Sequence, residues 1–437
     1  MSDAKPAGGD STKRRVKRRD FKKGPASGFT HRHAAPQSRE DRTPPESKTW
    51  PTPWVQLRSA IYHPFVYKRM TRVASKDARP GDVVAVFDKS GERFGTAFYN
   101  PRSKIALRML TFDDREVDTA FFREILERAV TLRRQTLNLD EKSNAYRLVH
   151  SEGDGLSGLT VDRFDDVLSL QVFSYGVFLR VEEFLPILHE LCGTTKHRIE
   201  VDSRIAALEG FQASLDGTPG LKAVRIVENG VRYAVNFESG HKTGFFCDQR
   251  ENRERLASLV QGRSVLDLCC YTGGFALSAR VRGQASEVTG VDLDEKAIDQ
   301  ARHNANLNQT RIRWIHADVF SHSRQMAQND RQWDVVVADP AKMILSRDAE
   351  KVEEGRKKYY DLNRLAVALV RPGGLFVTCS CSGLLDMVNL ERIVLQAAHR
   401  NRRRLQILWR TGAAPDHPVM SNCLESRYLK VIWARVL

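Results

Sequence analysis

The sequence predicts an α/β fold, with a doubly wound parallel sheet in the C-terminal half preceded by a small β-barrel and an α+β middle unit. After Val224, apolar strand-like runs alternate with helical patterns, which is typical of a parallel sheet. Within residues 265–275, a short apolar run, a glycine turn and the start of a helical pattern follow one another. Residues 54–111 hold short β-type runs separated by Pro-Gly and Ser-Gly turns, which indicates a separate β domain.

The composition indicates a multidomain protein with a polyanionic partner. A chain of 437 residues has room for about two or three domains. The formal net charge of +15 favours binding to phosphates, because Lys and Arg gain affinity by releasing counterions. The chain lacks a long apolar run and a signal peptide, so we expect a cytoplasmic protein without membrane contact. The seven cysteines lack paired C-x-x-C spacing, so we expect reduced thiols and no metal.

Residues 1–49 are predicted to form a disordered basic tail. They are rich in Lys, Arg, Gly, Pro and Ser and hold almost no aliphatic side chains. Thirteen Lys and Arg against six Asp and Glu give 13 − 6 = +7, close to half of the net charge. The tail is either a mobile arm that binds RNA or a solubilising extension, and the sequence leaves both open.

Residues 54–115 are predicted to form the small β domain, and its side chains suit RNA. Basic residues interleave with aromatic ones, which would supply phosphate contacts and stacking surfaces. The alternative is a barrel whose solvent face simply carries basic residues. The residues concerned are Arg58, Lys68, Arg69, Arg72 and Arg108, with Tyr62, Phe65, Tyr67 and Tyr99.

The middle domain, predicted over residues 120–222, combines helices with a hairpin. Apolar residues recur at helical spacing from Phe121 to Leu132 and again over residues 177–191. Asn229-Gly230 then predicts a second hairpin, because Asn-Gly supplies the two positive φ angles of a type I′ turn. This hairpin opens the C-terminal domain, predicted over residues 224–437.

The glycine turn and a following acid predict a nucleoside site. Asp292 ends a strand-like run about twenty residues after Gly273, where a carboxylate can accept both hydroxyls of a ribose. The G-x-G-x-x-G pattern of dinucleotide sites is absent, so a cofactor without phosphates fits better. We therefore predict S-adenosylmethionine rather than a nicotinamide, with a purely structural glycine turn as the alternative.

Polar residues end five of the predicted strands. Ligands of doubly wound sheets lie beyond the carboxyl ends of the strands, so these residues should share one site. The polar loop before the helix at Gln249 would face the same edge, and its His241 and Lys242 would hold a phosphate or the cofactor tail unless the loop is merely solvated. The five strand-end residues are Asp267, Asp292, Asp318, Asp339 and Cys381.

Several motifs together resemble one known family. They are Tyr146-Arg-Leu-Val with residues 152–164, Gly240-His-Lys-Thr-Gly-Phe-Phe-Cys-Asp-Gln-Arg, Tyr271-Thr-Gly-Gly-Phe, Asp339-Pro, Ser380-Cys-Ser-Gly-Leu and Asp416-His-Pro. The chain from about Trp54 onward is similar to bacterial 23S rRNA cytosine-C5 methyltransferases. The resemblance implies an N-terminal PUA-like RNA-binding domain, an α+β middle domain and a Rossmann-like class I methyltransferase sheet.

The resemblance also implies roles for individual residues. Tyr271, Thr272 and Gly273 would lie along the methionine part of S-adenosylmethionine, Asp292 on the ribose and Asp318 near the adenine amine. Asp267 would belong to the same cofactor loop, and Phe246, Gln249 and Arg250 would close the site from the other side. The partner would be 23S rRNA or a large-subunit precursor, and a homodimer is left open. The chain departs from the family pattern in two places, at Asp339-Pro-Ala-Lys-Met and at Cys379, where an apolar residue is usual.

The implied chemistry needs an activated cysteine. C5 of cytosine is a poor nucleophile until a thiolate adds to C6, and Cys381 is the predicted attacker. Asp339 would bond the base near N3 or the exocyclic amine, whereas the group that removes the C5 proton is not identified. Cys379 is expected to contribute packing only. Two alternatives stay open: a guanine-N-methylating enzyme, which would need no cysteine, and an inactive RNA-binding factor for ribosome assembly.

Overall fold

The computed structural model describes residues 43–212, 215–238 and 244–437. The prediction of a disordered basic tail over residues 1–49 therefore falls outside the described residues up to position 42. For the last residues of the predicted tail, disorder is wrong, because Pro45–Thr49 forms a short 3-10 helix and buries Ser47. Trp50, which follows, stacks on Phe87 with ring centroids 3.9 Å apart. The N-terminal β domain thus includes residues that the sequence assigned to the tail.

The N-terminal β domain is a six-stranded sheet in the order β2-β6-β5-β4-β1-β3. β1 pairs in parallel with β4, and the other neighbours pair antiparallel. The β-type runs of the sequence predict β1, β2, β4, β5 and β6, but β3 was missed, because its four residues include an exposed Arg72 and bury none. The strands are β1 Trp54–Leu57, β2 Phe65–Tyr67, β3 Thr71–Ala74, β4 Val83–Phe87, β5 Arg93–Tyr99 and β6 Ile105–Thr111.

The middle domain packs helices on a four-stranded sheet in the order β10-β9-β8-β7. The helix predicted over residues 177–191 is interrupted, because Arg180 leaves helical geometry and donates to the carbonyls of Gly81 and Gly176. Phe122 and Phe184 share one core with Phe98 of the β domain. The elements are α1 Thr119–Thr131, β7 Ala145–His150, β8 Leu159–Phe164, β9 Val167–Val172, α2 Tyr175–Phe178, α3 Val181–Cys192, β10 Lys196–Val201 and α4 Ser203–Glu209.

The predicted Asn-Gly hairpin is confirmed. β11 (Ala223–Glu228) and β12 (Val231–Asn236) pair antiparallel, and φ is +48° at Asn229 and +81° at Gly230. Positive values at both turn positions are the type I′ geometry. The hairpin connects domains, since Tyr233 packs in one cluster with Phe164 of the middle domain.

The C-terminal domain is built on a seven-stranded sheet in the order β15-β14-β13-β16-β17-β19-β18. The first five strands of this order are parallel, but β19 runs antiparallel to both β17 and β18. The fully parallel sheet predicted from the sequence is therefore wrong at one end, and β18 was missed. The strands are β13 Ser264–Leu268, β14 Glu287–Asp292, β15 Arg313–His316, β16 Trp333–Ala338, β17 Val370–Ser380, β18 Leu405–Thr411 and β19 Lys430–Val436.

Helices cover both faces of this sheet, as expected for a doubly wound fold. Val336 and Ala338 pack in one apolar cluster, whereas Val335 and Val337 pack in another, because successive side chains of a strand point to opposite faces. The sequence pattern predicts a strand over residues 313–319, but β15 ends at His316 and a helix begins at Val319. The helices are α5 Arg250–Ala257, α6 Gly274–Leu277, α7 Glu295–Leu307, α8 Val319–Gln328, α9 Ala349–Ala368 and α10 Met387–Arg400. Among the described residues, no helix has the length and apolar character to span a membrane.

Candidate active site

The loop between β13 and α6 has an unusual backbone. Three of its residues adopt left-handed conformations, with φ of +63° at Cys269, +49° at Tyr271 and +88° at Gly273. Non-glycine residues in this region are strained, and such strain concentrates at ligand sites. A Cβ at Gly273 would also lie 2.6 Å from Cη2 of Trp314, so glycine is required there. The loop therefore presents bare backbone at the carboxyl edge of the sheet.

Asp292 holds this loop in place. Its Oδ2 accepts a hydrogen bond from the Tyr271 N–H at 2.8 Å, and its Oδ1 accepts one from Asp294 at 2.9 Å. Each carboxylate oxygen has a second lone pair, so the half-buried side chain can still accept bonds from ribose hydroxyls. Asp292 thus combines a structural contact with the acceptors that the predicted nucleoside site requires.

Asn304 supports the same loop and was missed by the sequence reasoning. Its Nδ2 donates to the Thr272 carbonyl at 3.0 Å, and its Oδ1 accepts from the Ala234 N–H at 2.9 Å. The side chain lies on the buried face of α7 and is only 1% exposed. A polar residue on the apolar face of a helix was the available signal, because buried polar groups require partners.

Asp267 lies in β13, one residue before that strand ends, and Asp318 lies two residues after the end of β15, with different surroundings. Asp267 is fully buried and accepts from the Ala276 N–H at 3.0 Å. Burial, reinforced by the charge of Asp339, raises the pKa of Asp267 well above its usual value. Its Oδ1 has no partner among the described residues, which fits a carboxyl that contacts a bound cofactor. Asp318 is half-buried and caps α8 by accepting from the Ser321 N–H at 2.8 Å.

Asp339 follows β16, next to the cofactor loop. Gln249 donates to its Oδ2 at 3.0 Å. Burial raises the pKa of Asp339 to about 7, with a further increase from the nearby charge of Asp248, while the side chains of Gln249 and Cys379 oppose the rise. Near neutral pH, Asp339 is therefore partly protonated and can both donate and accept hydrogen bonds.

Phe246 and Gln249 lie beside the same site, as predicted. The Phe246 ring meets the Tyr271 ring edge to face, with centroids 5.2 Å apart. Gln249 is buried, and its Oε1 accepts from Asn252 at 2.7 Å. This second bond fixes the amide so that its NH₂ group points to Asp339. His241 and Lys242, the other candidates in the preceding loop, lie outside the described residues.

Arg250 does not have the role predicted from the sequence. Its side chain is fully buried, and Nη1 and Nη2 donate to the two oxygens of Asp416, each at 2.9 Å. Asp416 is also fully buried and accepts from the Arg147 N–H at 2.9 Å. A guanidinium enclosed in this way cannot reach a cofactor. Arg250 therefore stabilises the fold behind the site instead of closing the site.

Cys379 and Cys381 lie at the end of β17. Both pack against the apolar cluster that contains Val377, so they share a face of the sheet. Cys379 is fully buried, whereas Cys381 is half-buried and follows the last residue of the strand. On the opposite face, Ser380 and Ser382 each lie 3.0 Å from the Tyr359 hydroxyl. Cys381 is therefore the more accessible thiol of the two.

A group with metal-ligand chemistry lies outside this site. His63, Cys423 and Glu425 place one ligand atom each within 4.8 Å of one another. However, His63 Nδ1 accepts a hydrogen bond from the Phe65 N–H at 3.0 Å, so Nε2 carries the ring proton. Nε2 lies 3.3 Å from a Glu425 oxygen, as expected for an N–H donor. This arrangement is a hydrogen-bonded contact between the β domain and the C-terminal domain.

Comparisons with known proteins match this architecture. A family model described as S-adenosylmethionine-dependent methyltransferase matches residues 194–427, and one described as a PUA-like domain matches residues 62–112. Ribosomal RNA large subunit methyltransferase I of Alteromonas mediterranea is 35% identical over 380 residues, which cover 84% of this chain and 93% of that protein. The protein of the same name from Photobacterium profundum is 36% identical over 376 residues, covering 84% and 94%.

The chain belongs to the ribosomal RNA large subunit methyltransferase I family. A solved structure of SMU.776, described as a methyltransferase and crystallised with SAH, superimposes with a TM-score of 0.72 at 20% identity. The match covers 86% of this chain and 96% of that one, and it confirms the fold. S-adenosylmethionine, predicted as the cofactor, is confirmed by the family model. The roles of the individual site residues stay predictions.

Proposed function

We propose that this member of the ribosomal RNA large subunit methyltransferase I family methylates C5 of a cytosine in 23S rRNA or its large-subunit precursor. The names of the relatives support an rRNA substrate, and the net charge of +15 suits a polyanion. The observation that carries the carbon specificity is a half-buried cysteine, Cys381, at the carboxyl edge of the sheet next to the strand end that bears Asp339. The cytoplasmic location is part of the same proposal.

The site residues divide into a cofactor set and a base set. Asp267, Asp292, Asp318 and the loop from Tyr271 through Thr272 to Gly273 would hold S-adenosylmethionine, with Phe246 and Gln249 on its other side. When bound, this cofactor supplies a methyl group to a nucleophilic atom. Cys381 and Asp339 would instead contact the target cytosine, which must be unstacked to enter the site.

Cys381 and Asp339 would act at two positions of the cytosine ring. The Cys381 thiolate forms a bond to C6, which makes C5 electron-rich enough to attack a methyl group. Protonated Asp339 donates to N3 and stabilises the negative charge that this addition places on the ring. After methylation, the C5 proton leaves and the S–C6 bond breaks, which restores the free thiolate.

Each of the three domains would have a separate role. Residues 54–115 would bind RNA as a PUA-like domain, residues 120–222 would connect the domains, and residues 224–437 would carry the reaction. The matched PUA-like model over residues 62–112 supports the first assignment. The proposal leaves a homodimer open.

Trapping with modified RNA tests the chemistry. RNA that carries 5-fluorocytosine should form a stable covalent complex, because fluorine cannot leave as a proton and elimination stalls. Mass spectrometry should locate the adduct on Cys381, and Cys381→Ala should lose activity by several orders of magnitude. Cys379→Ala is the matched control, since it should still form the adduct and methylate, at a cost of roughly 1 kcal/mol in stability for a small buried group.

Three outcomes contradict the proposal. An adduct on Cys379 would reverse the assignment of the two thiols. Full activity of the double alanine variant would indicate nitrogen methylation, which needs no cysteine. Binding of S-adenosylmethionine and RNA without any 5-methylcytosine in the product would indicate an inactive assembly factor.

A further inference from the structure

Lys430 is a buried lysine beside the proposed nucleophile. It lies on β19 directly opposite Ser380 of β17, and the residue is only 5% exposed. Its Nζ donates to the carbonyls of Ser382 and Tyr428, both at 2.6 Å. The bond to Ser382 fixes the ammonium group against the backbone that immediately follows Cys381. Both acceptors are neutral carbonyl groups, so neither cancels the charge.

The surroundings of Lys430 favour a nearby anion. Burial lowers the pKa of Lys430 to about 8, and the strongest opposing electrostatic influence is that of Cys381. Asp386, before α10, also favours the charged amine, whereas Lys342, in the loop after Asp339, disfavours it. With a pKa of about 8, Lys430 is still mostly protonated at pH 7. A partly desolvated cation close to a thiol, as here next to the carbonyl of the residue after Cys381, is an environment in which cysteines become reactive.

Other groups around the pair are already engaged. The Tyr359 hydroxyl, from α9, contacts Ser380 and Ser382, and the Tyr428 hydroxyl donates to Asp248 at 2.6 Å. Each ammonium has three N–H donors, and two of those of Lys430 are used by the carbonyls. The ammonium is therefore held, with its charge not cancelled by these carbonyls, beside the backbone that follows Cys381.

We infer that Lys430 is a positioning residue that stabilises the thiolate of Cys381 and so prepares it to attack C6 of the target base. The inference rests on the proposed role of Cys381 as nucleophile. The thiol proton passes to solvent, the S–H bond breaks, and the ammonium keeps all its protons. When the S–C6 bond later breaks, the same cation stabilises the returning thiolate.

The pH dependence of thiol alkylation tests this role. The rate at which iodoacetamide modifies Cys381, measured by mass spectrometry of the full-length protein, follows the thiolate fraction. In Lys430→Met, the rate at pH 7 should fall about tenfold and the midpoint should rise by about one pH unit, since an adjacent cation lowers a thiol pKa by that much or more. Lys430→Arg should keep the midpoint close to the wild-type value, because it retains the charge.

Lys342→Met is the matched control, because Lys342 is an exposed lysine near the same ammonium. An unchanged midpoint in Lys430→Met overturns the inference, and so does an equal shift in Lys342→Met. If Lys430→Met fails to fold, the wild-type protein still decides: a Cys381 midpoint at or above about 8.5, that of an ordinary cysteine, contradicts a stabilised thiolate. Alkylation needs no methyl transfer, so these results are independent of whether Cys381→Ala abolishes methylation, which tests the proposed function itself.

Discussion

Gln249 donates a hydrogen bond from Nε2 to Oδ2 of Asp339 over 3.0 Å, between the segment before α5 and the end of β16. Asn252 donates a hydrogen bond to Oε1 of the same amide at 2.7 Å. An amide does not ionise, so Gln249 offers this donor to Asp339 at every pH. The pair therefore keeps Asp339 oriented while leaving its proton free to exchange.

Asp339→Asn should change how stability depends on pH. The folded-state pKa of Asp339 is raised to about 7, so the protonated carboxyl stabilises the fold at low pH. This stabilisation is lost as pH rises from about 4 to about 7, and the loss stays constant above that. The variant should be more stable than wild type by on the order of 2 to 4 kcal/mol at pH 8, and by less at pH 5. Urea unfolding at both pH values measures this difference. It should also lose methylation.

Asp334→Asn on the same strand is the control for this experiment. Hydrogen bonds from Ser264 and Arg371 lower the pKa of Asp334 against the effect of burial. A group of this kind stabilises the fold above its unfolded-state pKa, about 4, and loses that contribution as pH falls further. Asp334→Asn should therefore destabilise the protein about equally at pH 5 and pH 8. An identical response of both variants would contradict the raised pKa of Asp339.

Asp292→Ala should weaken S-adenosylmethionine binding by on the order of 2 to 3 kcal/mol, because a carboxylate that accepts two hydroxyls makes charge-assisted contacts. Calorimetry measures the loss, and Asp299→Ala, an exposed carboxylate on α7, serves as the control. A cofactor analogue without the 2′-hydroxyl separates ribose contact from loop support. It should bind wild type more weakly, yet lose little further affinity in the variant. If removing the 2′-hydroxyl weakens binding equally in wild type and variant, Asp292 supports the loop but does not contact the ribose.

Asp416→Ala should destabilise the protein by about 3 to 5 kcal/mol, because it leaves the buried Arg250 guanidinium without its counter-charge. Glu287→Ala removes the partner of Arg331 in an exposed ion pair and should cost less than about 1 kcal/mol. Denaturant unfolding compares the two. Similar effects would mean that the buried pair contributes no more than a surface pair.

Removing residues 1–42 should lower RNA affinity and flatten its dependence on salt. This segment holds twelve Lys and Arg against five Asp and Glu, 12 − 5 = +7, so fewer counterions are released without it. S-adenosylmethionine affinity should not change. The control carries a Gly-Ser tail of equal length, and an unchanged salt slope would show that the tail is only a solubilising extension.

Local patterns were sufficient to predict much of the fold and the outline of the site. The Asn229-Gly230 hairpin and the loop at Gly273 depend on backbone conformations that few residues tolerate, so the residue type alone identifies them. The strand-end acids were predictable because the carboxyl ends of parallel strands meet at one edge. Resemblance to a family added Phe246 and Gln249, which no local pattern distinguishes.

The remaining features depend on contacts between distant parts of the chain. Arg250 and Asp416 are 166 residues apart, and nothing near Arg250 in sequence shows that its guanidinium is enclosed. The direction of β19 follows from how neighbouring strands are arranged in the sheet, which no local pattern encodes. The early end of β15 was missed although Asp318 is a good helix cap, because the apolar residues after it continue the strand pattern.

The position of Asp416 has a consequence for synthesis on the ribosome. Arg133 of the middle domain is fully buried and donates to the Asp416 carbonyl at 2.6 Å, across 283 residues of chain. At translation rates of about 5 to 20 residues per second, that carbonyl is made roughly 15 to 60 s after Arg133. The middle domain can form the pair of Arg133 with Asp154 early, but its contact with Asp416 must wait until almost the whole polypeptide has been made. Its final packing is among the last events of cotranslational folding.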